Sequence, residues 1–102
     1  MARLVVMYRT PADAGAFDSH YRETHIPLAK NLPGLRSYEI STGPVLAPGG
    51  ASDYHLVAVL GFDDIGALQA ALGSPEGAAA VADLEIFATT GVEILMFDDA
   101  PA

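Results

Sequence analysis

Residues 54–62 read Tyr54-His55-Leu56-Val57-Ala58-Val59-Leu60-Gly61-Phe62, and this run decides the fold. It is short, apolar and β-branched, and turn signals bound it on both sides, so it predicts a strand. Leu56, Ala58 and Leu60 fall on one face, Val57 and Val59 on the other. A strand apolar on both faces belongs in the middle of a sheet that is covered twice. His55 is the exception. Alternation puts it opposite Tyr54, Leu56 and Ala58, where it needs partners in a pocket or at an interface.

Upstream, residues 3–8 (RLVVMY) predict a first strand, broken by Thr10-Pro11. Asp13 can cap a helix that follows, with Thr10-Pro11 as the competing start. Phe17, Tyr21 and His25 recur every four residues and share one face. Ile26 precedes Pro27, which biases it away from helix, so the helix is predicted to end near His25. Pro27 opens a short further turn to Asn31, and Pro33-Gly34 a tight one. Residues 35–42 predict a second strand, with Tyr38 and Ile40 on one face. Residues 43–53 (GPVLAPGGASD) read as a loop. Downstream, Asp63-Asp64 opens a helix to Leu72, and Ser74-Pro75-Glu76 restarts it as far as Phe87. Residues 90–97 (TGVEILMF) predict the last strand, and 98–102 a polar tail.

The order is β-α-β-β-α-β with the second helix split. This is a ferredoxin-like α+β arrangement: a four-stranded antiparallel sheet with helices on one face, in one domain spanning 1–102. The last strand is apolar on both faces too, since Ile94 and Met96 alternate with Leu95 and Phe97. A lone copy would leave that second face in water, so a homodimer packed sheet to sheet is expected.

Of the 102 residues 51% are apolar, and none is cysteine. Disulfides, thiolate nucleophiles and zinc–thiolate sites are excluded. The formal charge is −8. All five Lys and Arg lie in the first 36 positions, which carry +2; residues 37–102 carry −10. Such acidity disfavours nucleic acid and anionic membranes. No signal peptide or membrane-spanning run is visible, and the expected location is cytoplasmic.

Two spaced motifs resemble the EthD family. The first is Phe17-x-x-x-Tyr21-x-x-x-His25-Ile26-Pro27-Leu28-Ala29-x-x-Leu32-Pro33-Gly34-Leu35. The second is Ser74-Pro75-Glu76-Gly77, followed by Asp83-Leu84-x-x-Phe87-Ala88-Thr89-x-Gly91-Val92. The family is named for a component of ethyl tert-butyl ether degradation. The resemblance implies a dimeric α+β barrel. It also implies a substrate style, since relatives in that superfamily handle small cyclic or aromatic molecules between sheet and helices. Those relatives include isomerases, cyclases, dehydratases and cofactor-free monooxygenases, so no single reaction follows.

His25 is the leading catalytic candidate, because imidazole titrates near neutrality and moves protons either way. The competing reading is a histidine that caps its own helix. Tyr21, one turn earlier, can donate to a substrate oxygen; otherwise it is a core residue with its hydroxyl at the surface. Phe17, Tyr8, Tyr38 and His55 are the candidate substrate contacts, with half-buried strand aromatics as the plainer reading of Tyr8 and Tyr38. Arg22 and Arg36 could hold a carboxylate or enolate oxygen, or pair with surface acids. His20 is predicted to face solvent. It lies five residues from His25, and a spacing of four, not five, aligns two imidazoles on an α-helix, so no metal site is expected. No phosphate-binding glycine pattern points to a nucleotide, and no cofactor is expected.

Three functions remain open at this point. One is a cofactor-independent enzyme moving a proton beside a carbonyl of a small cyclic or aromatic compound. Another is a non-catalytic accessory that delivers such a molecule to an oxygenase. The third is a cofactor-free monooxygenase.

Overall fold

The computed structural model describes residues 1–102. Strand β1 is Ala2–Arg9, β2 Ser37–Ile40, β5 Tyr54–Phe62 and β6 Val92–Asp98. They form a four-stranded sheet in the order β2-β5-β1-β6, antiparallel throughout. The apolar run 54–62 is β5, and it sits between β2 and β1 as its two apolar faces require. Ala2, Leu4, Val6 and Tyr8 of β1 point under the helices, as do Leu56, Ala58, Leu60 and Phe62 of β5.

The helical layer is one long helix and a broken one. Asp13 caps the first, accepting from Ala16 N–H at 3.0 Å, so Asp13 and not Thr10 starts it. Helix α3 (Ile65–Leu72) is capped by Asp64, and α4 (Pro75–Phe87) by Ser74, with Pro75 in its first turn. Leu68 of α3 is fully buried on the sheet, worth about 1.5–3 kcal/mol.

The first helix departs from its sequence reading. It does not end near His25. The backbone stays helical from α1 (Ala14–His20) through a π-helical segment, Tyr21–His25, into α2 (Ile26–Lys30). Ile26 N–H donates to Tyr21 O, five residues back, and Ile26 itself is helical at φ −56° and ψ −47° despite preceding Pro27. The wider π turn accommodates the proline that would crowd a regular α-turn.

Two smaller corrections apply. Residues 43–53 are not a plain loop; they carry a short hairpin, β3 (Leu46–Ala47) with β4 (Gly50–Ala51), turned at Pro48-Gly49. Strand β5 is bulged near its start: Tyr8 faces Leu56 but Arg9 faces Tyr54, leaving His55 unpaired. The bulge breaks the alternation. Tyr54 joins Arg9 and Glu93 on the face away from the helices, while His55 turns back to α1 and bonds Asp18.

That far face is open. Leu95 is 57% and Phe97 45% exposed, beside Val5, Val57 and Val59.

The break between α3 and α4 is tight. A Cβ on Gly77 would come within 2.3 Å of the Ala71 carbonyl oxygen and 2.5 Å of that of Leu72. These are backbone atoms and cannot swing aside. Gly77→Ala is therefore expected to destabilise the fold by about 1–3 kcal/mol, read as a lower urea midpoint at unchanged slope. Gly49→Ala, which meets nothing within 4 Å, should leave the midpoint near that of the wild type.

Candidate functional site

The row Phe17-Tyr21-His25 lies on one face, as its spacing predicted; that face is turned to the sheet, and α4 closes over it. Tyr21 is 1% exposed and His25 6%. His25 does not cap its helix. Its Nδ1–H donates to Asp83 Oδ2 on α4 at 3.0 Å. Its Nε2 accepts from the Tyr8 hydroxyl at 3.4 Å. This makes a chain of carboxylate, imidazole and phenol. Beside it, the hydroxyls of Tyr21 and Tyr38 bond each other at 2.5 Å. Tyr21 thus keeps its hydroxyl inside, not at the surface.

Asp83 is 4% exposed, and its second oxygen is also used: His20 Nε2–H donates to Oδ1 at 2.8 Å. His20 therefore does not face solvent freely, contrary to the sequence reading. It stacks on Phe87 at 4.9 Å and is half-buried. The π-helical segment explains the correction. With i→i+5 bonding, residues five apart come to one side, so His20 and His25 converge on one carboxylate.

Phe87 touches the rings of Tyr8, Phe17, Tyr21 and His25 at 4.9–6.0 Å. Asp83, Phe87 and His20 are the residues that sequence reasoning missed as site members. Asp83 and Phe87 both stand in the second EthD-like motif, and that was the available signal.

The cleft is small, about 80 Å³, and apolar. Tyr8, Tyr21, His25 and Tyr38 supply its polar atoms, and it opens past Val81 and Ile94 between α4 and β6. Phe17 backs Tyr8 and Tyr21 without lining the cleft. His55 lies outside it, against the edge of Phe17, and lines a separate cavity with Asp18.

Burial sets the protonation states. It holds the His25 imidazole below its ordinary value, partly offset by the bond to Asp83 and by its charge. Burial likewise pushes the hydroxyls of Tyr8, Tyr21 and Tyr38 up, and Tyr38 beside Tyr21 pushes Tyr21 further. At neutral pH the cleft offers a neutral imidazole and three protonated phenols.

The fold and cleft define a class: a ferredoxin-like α+β domain with a small apolar pocket between sheet and helices. The chain belongs to the EthD family, for residues 9–91 match the EthD domain. It is 36% identical over 99 residues to an uncharacterized 11.0 kDa protein of the thcB–thcC intergenic region of Rhodococcus erythropolis, across 97% of this chain and 95% of that one. It is 33% identical to an EthD family protein of Bacillus halodurans C-125, whose crystal structure superposes with a TM-score of 0.89 over 98% of this chain and 99% of that one. SnoaB of Streptomyces nogalater, a cofactor-independent oxygenase, shares the fold at 18% identity, with a TM-score of 0.69 over 99% and 94% of the two chains. No helix is long and apolar enough to cross a membrane.

The His25 shift has a definite sign. Its folded value lies below the unfolded one, so on acidification the unfolded chain takes up this proton first. This contribution to stability is fully present above about pH 6.5 and is lost as pH falls from there through the folded value. Urea unfolding at pH 7.5 and pH 5 should show a larger loss for the wild type than for His25→Gln, which has no imidazole to charge.

Proposed function

We propose that the protein is a cofactor-independent enzyme that moves a proton next to a carbonyl of a small cyclic or aromatic molecule, acting in the cytoplasm. The observation that carries this reading is the buried His25 held between Asp83 and Tyr8 in an apolar cleft, where burial lowers the imidazole. A protonated imidazole could not abstract a proton, and burial keeps this one free to do so. With Nδ1–H bonded to Asp83, the lone pair on Nε2 faces the cleft. A substrate C–H or O–H displaces the Tyr8 hydroxyl from Nε2 and gives up its proton there. The nearby carboxylate stabilises the imidazolium that forms. The enolate oxygen is received by the Tyr21 and Tyr38 hydroxyls, which stay protonated because burial raises them. His25 then returns the proton to another atom of the same molecule, which isomerises, cyclises or, with a leaving hydroxyl, dehydrates it.

A second reading is supported by the same base. Deprotonating a bound phenol or enol gives an electron-rich anion that can react with oxygen directly, and SnoaB, a cofactor-independent oxygenase, has this fold. Oxygen uptake with substrate turnover would select it.

The test uses cyclic 1,3-diketones, lactones and hydroxyarenes, with exchange of the activated C–H for deuterium followed by NMR. Exchange accelerated by the wild type should fall about 10²–10⁴-fold in His25→Gln and about 10²-fold in Tyr21→Phe, with binding retained. Equal exchange with both chains, beside undiminished ligand binding, would replace catalysis with the delivery of a small molecule to an oxygenase.

We further infer that the open face pairs two copies into an α+β barrel. Several ferredoxin-like relatives of this fold are described as dimeric. Sedimentation should give twice 10.6 kDa for the wild type and a single-chain mass for Leu95→Asp/Phe97→Asp. A monomeric wild type would remove the pairing.

A further inference from the structure

The largest cavity in the chain, about 430 Å³, lies outside the cleft of His25. It sits beneath the 43–53 hairpin segment, with Asp18, Tyr21 and Arg22 on the helix side and Ile40, His55 and Leu56 on the sheet side. Tyr21 is a wall of both spaces. The volume falls in the range of small-molecule sites.

Its charges are unevenly committed. His55 Nε2–H donates to Asp18 at 2.8 Å, so the one carboxylate in the lining already has a partner. Nδ1 of His55 bonds nothing within the chain. Arg3 pairs with Asp99, Arg9 with Glu93 and Arg36 with Asp63. Arg22 pairs with no acid, although the chain carries 13 of them. It is the one guanidinium left free, and it borders the largest cavity. Ile40 and Leu56 add an apolar wall, while Thr10 and Thr42 add hydroxyls.

We propose that this cavity is a binding site for a small organic carboxylate, with Arg22 as its counter-ion. The guanidinium fork matches the two carboxylate oxygens. From the opposite wall Nδ1 of His55, whose Nε2–H is spent on Asp18, accepts from any hydroxyl the ligand carries, and Ile40 and Leu56 receive its hydrocarbon part. The site stands apart from the acid/base reading of His25, and the bulge at His55 belongs to it: without the bulge the imidazole would point to the open face.

The test is a titration of the full ¹⁵N-labelled chain with benzoate and with benzamide, its neutral counterpart of the same shape. Benzoate should shift resonances of residues 41–56 and the Arg22 side chain. It should bind about tenfold or more tightly than benzamide. Arg22→Gln should abolish the preference, and Arg3→Gln, on the far end of β1, should keep it. Equal binding of the two probes, no binding of benzoate, shifts that map elsewhere, or a preference that survives Arg22→Gln would each overturn the proposal. If shifts reach His25 with either probe while Arg22→Gln changes nothing, the cleft alone is the site.

Discussion

A carboxylate buried under aromatic rings organises this molecule. Asp83 on α4 is almost fully enclosed, and an enclosed carboxylate is tolerated only when hydrogen-bonded on every side it presents. Its two oxygens are met by two imidazoles from the first helix, at 2.8 and 3.0 Å. This pairing fixes how α4 crosses that helix. One turn further on, Phe87 lands among the rings of Tyr8, Phe17, Tyr21 and His25 and packs them together behind the cleft. Stripping one imidazole away would leave a buried carboxylate oxygen without its hydrogen bond, a loss of about 1–3 kcal/mol. The π-helical segment is what lets one carboxylate serve both histidines, so helix geometry, hydrogen bonding and site assembly are one constraint.

The same burial decides the chemistry. Low polarity favours the neutral form of every titrating group, which lowers an imidazole and raises a phenol. In the cleft both effects act within a few ångströms. The base is thereby kept unprotonated and the donors kept protonated, a division of roles that polar surroundings would blur. The apolar mouth at Val81 and Ile94 suits a ligand that is mostly hydrocarbon. Outside the cleft the surface is acidic and its arginines are nearly all paired, which makes the free Arg22 conspicuous as a recognition element.

Most of the fold was legible because short-range rules and tertiary packing agreed. The two-sided apolar run at 54–62 became the inner strand, and Asp13, Asp64 and Ser74 became caps in the places their side chains allow. Two of the failures share a physical type: each is a one-residue irregularity that shifts a periodic pattern. The π segment carries the helix past Ile26-Pro27, where local bias predicts a stop, and brings His20 inward. The bulge at His55 reverses the strand parity that assigned its face. Periodicity cannot register such insertions, because they are settled by distant partners: Asp83 for the histidine pair, Asp18 for His55. Asp83 itself was hidden for another reason. It looks like any solvated acid in PEGAAAVADLEIF, and only its place in the second family-like motif marked it.

The central claim is that His25 rests as a neutral base with its proton on Nδ1 and a lone pair on Nε2. Long-range ¹H–¹⁵N NMR of the imidazole nitrogens at pH 7 measures this directly. The account predicts a pyrrole-like Nδ1, bonded to Asp83, and a pyridine-like Nε2 open to the Tyr8 hydroxyl. Two protonated nitrogens, or a proton on Nε2 with Nδ1 bare, would contradict it and leave His25 a structural partner of Asp83.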